Sequence, residues 1–299
     1  MTRIDPASAA LAPARLAVLG SPIGHSKSPE LHLAAYRVLG LPWSYERVEV
    51  DEAALAPFVE SRDAAWRGLS LTMPLKQTIQ PLLADIDRIG RLTGAVNTVL
   101  FEQGGDGAKR SGFNTDVPGI VRALNAVGVG RVRHAHILGG GATAASAVVA
   151  ASELGAESVL VSVRAPERAA ALRELAASVG LAIAIEAFDA PRDDGATGLV
   201  VSTLPGGADA PISFDAELRA RVPLLDVAYE PWPTRLGQSW SDASGTVLGG
   251  LAMLVHQALL QVRIFVAGDP FAPLPDEPAV LAAMLDAAGL AADGTPVAA

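Results

Sequence analysis

A two-domain α/β fold is predicted by three features of the sequence. Short aliphatic and β-branched runs alternate with longer Ala/Leu-rich segments, the alternation begins twice, and the second beginning carries a glycine-rich turn between a strand and a helix. The length of 299 residues agrees, since a domain typically takes roughly 100 to 200 residues.

In the first half, strands are expected over residues 15–19, 44–50, 68–72 and 97–101, and helices over 29–39, 52–62 and 78–89. A polar, glycine-rich stretch, 102–112, breaks the pattern and reads as a hairpin loop near a domain edge. A helix over 116–127 follows. Then come a strand at 135–138, a glycine turn, a helix to 154, a strand at 158–163 and a helix over 166–179, the opening of a nucleotide-binding βαβ unit. Strands at 182–186, 199–202 and 224–227 extend the same parallel sheet, with Gly/Pro clusters at its turns. Two amphipathic helices, 251–266 and 277–288, are too few to form a domain and are expected to return to the first one. The expected division is 1–115, 116–249 and 250–299, with a frayed tail from Ala291.

Half of the residues are hydrophobic and 18% are charged, enough apolar surface to offset the entropy of ordering. A formal charge of −9 repels phosphate backbones and anionic lipid, so neither nucleic acid nor membrane is expected as a partner. The chain has no cysteine, which excludes disulfides and thiolate chemistry, and no metal is expected. Residues 1–13 lack the apolar core of a signal peptide. The stretch 251–267 is interrupted by His256, Gln257 and Arg263 and falls short of the roughly 20 apolar residues of a membrane span. A cytoplasmic location is expected.

Gly139, Gly141 and Ala144 form G-x-G-x-x-A directly after the strand ending at Leu138 and directly before an alanine-rich helix. Glycines there permit a tight turn and close backbone approach, and the helix start offers free N–H groups to a pyrophosphate. The bland alternative is a flexible turn; the strand-and-helix context favours a dinucleotide in a Rossmann-like domain. An NAD site usually has Asp or Glu at the end of the next strand, where this sequence reads Ser162-Val163-Arg164-Ala165, with Arg168 beyond. Two arginines suit a 2′-phosphate, so NADP is preferred to NAD; their alternative role is solvation of a helix start.

Gly20-Ser21-Pro22-Ile23-Gly24-His25-Ser26-Lys27-Ser28-Pro29 closes the first strand and opens a helix at Pro29. Ser26 and Ser28 either cap that helix or donate to a small carboxylate at its positive end. His25 has no carboxylate or nucleophile at useful spacing and reads as structural. Lys76 lies just beyond a strand in Gly68-Leu69-Ser70-Leu71-Thr72-Met73-Pro74-Leu75-Lys76. Gly94-Ala95-Val96-Asn97-Thr98 and Gly112-Phe113-Asn114-Thr115-Asp116 place an amide and a carboxylate at two further edges. Taken singly, Lys76 is a surface lysine and Asp116 a helix N-cap.

Together, and with Ser202-Thr203-Leu204-Pro205-Gly206, the segment from Asp226 to Thr234 and the segment from Gly249 to Gln257, these motifs run in the order found in the shikimate dehydrogenase family, which the sequence resembles over nearly its whole length. The resemblance implies an N-terminal substrate domain and NADP-dependent interconversion of 3-dehydroshikimate and shikimate, a step of chorismate and aromatic amino acid biosynthesis. It implies that Lys76 and Asp116 are the catalytic pair. Ser26, Ser28 and Tyr229 would bind the substrate carboxylate, and Thr72, Asn97 and Gln257 the ring hydroxyls. Gly139, Gly140, Gly141, Ala142, Thr143, Arg164, Arg168, Val227 and Gly250 would contact NADP, in a monomer or homodimer.

One departure bears on the cofactor: the family's usual Asn-Arg-Thr reads Val163-Arg164-Ala165, leaving the arginine without its two polar neighbours. The alternatives are a quinate/shikimate dehydrogenase using NAD, an aminoshikimate-type relative, and an NADP-binding sensor without chemistry. Ser28 and the arginine pair speak against the first, and the presence of both Lys76 and Asp116 against the last.

Overall fold

The computed structural model describes residues 12–102, 109–189, 195–208 and 211–297. They form two compact units: the described residues up to Thr115 with Val255–Leu290, and Asp116–Leu254 with the described residues from Ala291.

The first unit is built on a six-stranded mixed sheet in the order β2-β1-β3-β5-β6-β4. Its strands are β1 (Ala14–Gly20), β2 (Trp43–Glu49), β3 (Trp66–Leu71), β4 (Asp85–Ile86), β5 (Thr98–Glu102) and β6 (Lys109–Phe113). β2, β1 and β3 run parallel, whereas β5 is antiparallel to both β3 and β6. The parallel part requires crossover helices, supplied by α1 (Ser28–Leu39) and α2 (Glu52–Glu60). Leu55 and Val59 of α2 join Leu19, Leu69, Leu71, Val99 and Ile79 in one apolar core. Each fully buried aliphatic side chain there contributes about 1.5–3 kcal/mol.

The segment expected as one helix over 78–89 is divided among a short helix α3 (Leu75–Thr78), a 3-10 turn (Gln80–Leu82), β4 and a helix α4 (Arg88–Thr93). Pro81 cannot donate inside a helix and sits in the first turn of the 3-10 segment. Asp87 starts α4 afresh by accepting a hydrogen bond from Gly90 N at 2.7 Å, an N-cap worth about 1 kcal/mol. The hairpin expected over 102–112 joins β5 and β6; residues 103–108 lie outside the described residues.

The second unit begins with α5 (Asp116–Ala126) and holds a six-stranded, wholly parallel sheet in the order β12-β11-β10-β7-β8-β9. The strands are β7 (His134–Leu138), β8 (Ser158–Val163), β9 (Ala182–Ala187), β10 (Leu199–Ser202), β11 (Leu224–Asp226) and β12 (Val247–Gly249). Helix α6 (Ala142–Glu153) follows β7, and α7 (Ala171–Ser178) follows β8 after a 3-10 turn at Pro166–Ala169, so the helix expected over 166–179 is interrupted. Two short helices, α8 (Ala216–Arg221) and α9 (Arg235–Asp242), and the strand β12 were not apparent in the sequence. Asp215 and Thr234 cap those helices through their side chains. The order reverses between β7 and β10, the switch point at which parallel α/β sheets bind ligands.

Helix α10 (Gly250–Ala267) is long and apolar enough to cross a bilayer by length and composition, contrary to the sequence reading. Its burial decides the matter: 78% of it lies inside the protein, as a core helix does. Gly68 on β3 leaves room for the Phe265 ring, which a Cβ there would overlap. The division between units falls inside α10, between Leu254 and Val255. The last helix, α11 (Glu277–Ala287), packs along α1. The segment from Ala291, expected to fray, forms a turn in its described part: Ala291 N–H donates to Thr295 O at 2.8 Å, and Gly294 is buried against Ala252.

Candidate active site

The register of the first sheet gathers the motifs at one end. β1 and β3 run parallel, Ser70 of β3 faces Thr98 at the start of β5, and Thr98 faces Phe113 at the end of β6. The segments after β1, after β3, before β5 and after β6 therefore leave the sheet on the same side. They carry Ser26 and Ser28, Thr72 and Lys76, Asn97, and Thr115 with Asp116 as the next residue.

Gly20 permits the close passage of two of these segments, because a Cβ on it would lie 2.5 Å from Thr72 Cγ2 and 2.9 Å from Met73 O. Ser21 N–H donates to Met73 O at 3.1 Å and Thr72 N–H to Leu19 O at 2.9 Å. Ser26 and Ser28 are buried, while His25 is exposed. Ser26 Oγ accepts from Ser28 N–H at 3.3 Å, but the cap residue of α1 is Lys27, which makes no side-chain cap. Arg47 holds this loop from β2, donating from Nε to Ser26 O at 2.6 Å and from Nη2 to both carboxylate oxygens of Glu30. Burial pushes the Glu30 carboxyl up, but a backbone N–H bond and then the hydrogen bonds and charge of Arg47 bring it below its ordinary pKa.

Lys76 is partly exposed on α3, and its carbonyl accepts from Val96 N–H at 2.8 Å, which ties the lysine to the Gly94–Thr98 segment. Asp116 is 3% exposed. It is the first residue of α5 rather than the cap before it. Asn114, its neighbour in the motif, serves the architecture: its Nδ2 donates to Thr93 Oγ1 at 3.1 Å and Ala95 O at 2.9 Å. Asp87 accepts from Asn114 N–H at 3.2 Å as well as capping α4; burial raises its pKa against the pull of those bonds.

Asn97 lies at the centre of a buried polar network. Its Nδ2 donates to Thr115 Oγ1 at 2.9 Å and Gln257 Oε1 at 3.1 Å, while its Oδ1 accepts from Thr98 Oγ1 and Thr115 N–H, both at 2.9 Å. Both donors of this amide are therefore engaged within the protein. Thr115 Oγ1 also lies 3.2 Å from Gln257 Oε1. This turns the Gln257 carbonyl towards Asn97 and Thr115. Gln261, Ser70, Tyr45 and His32 extend the network, and sequence reasoning singled out none of them. The only available signal was the four-residue spacing of Gln257 and Gln261 on one helical face.

In the second unit, Gly139 adopts φ +109°, and a Cβ on it would overlap Thr203 Oγ1. That hydroxyl donates to Leu138 O at 2.8 Å, so the Ser202–Gly206 motif is stitched to the glycine turn across the switch point. Gly140 packs near Val163 and Ala169. Gly141 is the cap residue of α6, supplies no side-chain cap, and has open space where a Cβ would stand. Ala142 and Thr143 begin the helix, partly exposed, and Ala144 is fully buried. The uncapped helix start offers N–H groups and the positive dipole end to a phosphate. Arg164 and Arg168 are exposed beyond β8. Gly250 allows α10 to begin against Val227, whose carbonyl oxygen occupies the space a Cβ would need. Tyr229 is partly exposed in the loop after β11. These features fit a phosphorylated dinucleotide: an open glycine turn, an uncapped helix and two guanidinium groups at the next strand end.

The family model of the shikimate dehydrogenase substrate binding domain matches residues 18–99. The chain is 36% identical over 254 residues to the shikimate dehydrogenase (NADP(+)) of Methylobacterium radiotolerans, covering 82% of this chain and 88% of that one. The crystal structure of Mycobacterium tuberculosis shikimate dehydrogenase superposes with a TM-score of 0.76 at 37% identity, covering 92% of this chain and 100% of that one. The shikimate 5-dehydrogenase of Thermus thermophilus, solved in complex with NADP(H) and shikimate, superposes with a TM-score of 0.74 at 33% identity, covering 92% and 99%.

Proposed function

The chain belongs to the shikimate dehydrogenase family, and from that premise we propose that it interconverts 3-dehydroshikimate and shikimate in the route to chorismate and the aromatic amino acids, with NADP as its redox partner. The observation that carries this reading is the convergence of four motif segments at one end of the first sheet. The open glycine turn and uncapped α6 of the second unit supply the complementary requirement. On this reading residues up to Thr115 with the helices from Val255 bind substrate, and the parallel-sheet unit binds cofactor.

When bound, the nicotinamide supplies and accepts the hydride. Lys76 supplies the charge and the proton: as the ketone of 3-dehydroshikimate is reduced, negative charge grows on its oxygen, which an adjacent ammonium stabilises and protonates. In the oxidative direction the same amine takes the proton back. Asp116 orients Lys76 and accepts from a ring hydroxyl. Ser26 and Ser28, with Tyr229, hold the carboxylate with neutral donors, which draws an anion into an acidic protein locally. Thr72, Asn97 and Gln257 read the ring hydroxyls, Asn97 by exchanging its Nδ2 bond to Thr115 Oγ1 or Gln257 Oε1 for one to the substrate, and such polar partners reject analogues lacking them far more strongly than apolar walls do. Gly139–Thr143 would hold the phosphates of NADP and Arg164 and Arg168 its 2′-phosphate, while Val227 and Gly250 would contact the cofactor elsewhere. Val163 is buried beside Gly140, so an apolar side chain stands where the family usually has a polar one. Arg164 and Arg168 thus carry the phosphate selectivity. The protein acts in the cytoplasm as a monomer or homodimer.

The test is shikimate-dependent reduction of NADP+ followed by nicotinamide absorbance. Turnover of shikimate that vanishes in Lys76→Ala supports the reading. Tight NADPH binding without turnover of any cyclohexene acid refutes it.

A further inference from the structure

Gln261 is 1% exposed and stands one helical turn beyond Gln257 on α10. Residues four apart on a helix share a face, so whatever fixes one sets the bearing of the other. Every hydrogen-bonding site of the Gln261 amide is used. Oε1 accepts from Ser70 Oγ at 2.9 Å, at the end of β3, and lies 3.2 Å from His32 Nε2 on α1. Nε2 donates to Asn97 O at 3.1 Å and Thr98 Oγ1 at 2.9 Å, at the entry to β5.

A carbonyl oxygen can only accept, which fixes the imidazole: His32 Nε2 carries the proton, and Nδ1, at 3.3 Å, accepts from Tyr36 Oη. Burial lowers the His32 pKa to about 3, so the ring is neutral. Ser70 in turn accepts from Tyr45 Oη at 2.6 Å. The ring of Tyr45 stacks on His32 with centroids 4.0 Å apart.

We propose that Gln261 is a positioning residue for the substrate site: its one amide locks α1, β3, β5 and α10 in register and so sets where Asn97 and Gln257 meet the substrate ring. Each of these elements carries or adjoins a residue assigned to shikimate above, namely Ser28, Thr72, Asn97 and Gln257, and the inference rests on that assignment. Around Gln261 on α10, Val255, Leu259, Val262 and Phe265 are buried and apolar, while Arg263 bonds Glu277 and Pro270 O rather than β3 or β5. Apolar burial is non-directional and leaves a helix free to slide or roll by fractions of an ångström, whereas four hydrogen bonds do not.

The test compares wild type, Gln261→Leu, Gln261→Glu, Gln257→Ala and the Gln261→Leu/Gln257→Ala double variant in steady-state shikimate oxidation. Gln261→Leu is expected to raise the KM for shikimate about tenfold while the KM for NADP+ stays within about twofold of wild type. Gln261→Glu, which keeps the accepted bonds, should fall between. In the Gln257→Ala background the same leucine should cost less than about threefold, because there is no longer a Gln257 amide to misplace. Equal cost in both backgrounds, or equal rises in both KM values, would overturn the proposal. Thr98→Val, which removes the bond from Gln261 Nε2 together with the one Thr98 Oγ1 donates to Asn97 Oδ1, must act in the same direction.

If the wild type does not oxidise shikimate, the functional reading fails alone. Positioning is then read from the side-chain amide 15N–1H signals of Gln257 without substrate. They should shift and broaden in Gln261→Leu while the amides of β7 to β12 keep their positions, and an unchanged Gln257 signal refutes the proposal.

Discussion

Lys76 is anchored by its backbone rather than by a rigid helix, since α3 is only one turn long and the Val96 N–H···O bond fixes the lysine carbonyl. Lys76→Ala should therefore leave fold and cofactor affinity intact while kcat falls by about 10²- to 10⁴-fold, the range of a lost general acid; stopped-flow NADPH binding beside steady-state turnover checks both halves. His32 carries a second prediction. Its folded-state pKa of about 3 lies below the ordinary histidine value, so the unfolded chain binds the extra proton first. The stability it provides is complete above about pH 6.5 and is lost as the pH falls towards 3. Tyr36 and Tyr45 beside it are held neutral by burial. The stability gap between wild type and His32→Leu should shrink by about 2 kcal/mol between pH 7 and pH 5, measured by urea unfolding; a constant gap would mean that His32 does not govern this slope. At this scale the sequence was readable where candidate residues stand in contiguous strings, as around Ser26, Lys76 and Thr115, whose segments the first sheet gathers at one end. It was silent on Gln261, whose partner Ser70 lies 191 positions away, and on Arg47, which looks like any charged residue on a strand.

Among the elements, the β7–α6 turn is the most demanding. Gly139→Ala places a side chain at φ +109° and against Thr203 Oγ1, at a cost of at least about 1–3 kcal/mol from backbone strain. It should lower the melting temperature and weaken NADP+ binding together. The Arg164→Ala/Arg168→Ala pair should raise the KM for NADP+ by about 10- to 100-fold, the worth of one or two charge-assisted bonds, and leave the KM for NAD+ nearly unchanged. An equal rise for both cofactors would assign the arginines to solvation alone. Element boundaries were legible where one period ran unbroken, as in β1, α1 and β8. They were lost over residues 75–93, where Pro81 and the Asp87 cap chop an apparently continuous apolar pattern into four pieces. Short β12 and α9 escaped because a three-residue strand and a polar eight-residue helix carry almost no periodicity.

For the whole molecule, the second alternation of strands and helices announced the parallel sheet, and the reversal between β7 and β10 placed the glycine turn where such sheets bind ligands. Composition alone misjudged α10, since a core helix and a membrane span share the same residues and only burial separates them. The central claim is that this chain oxidises shikimate with NADP+ through Lys76. The most direct measurement is the initial rate of nicotinamide reduction with shikimate and with quinate, each with NADP+ and with NAD+, for wild type and Lys76→Ala. Efficient turnover of shikimate with NADP+ alone, abolished by the substitution, is the predicted result. Faster turnover of quinate with NAD+, or a Lys76→Ala enzyme as active as wild type, would contradict it.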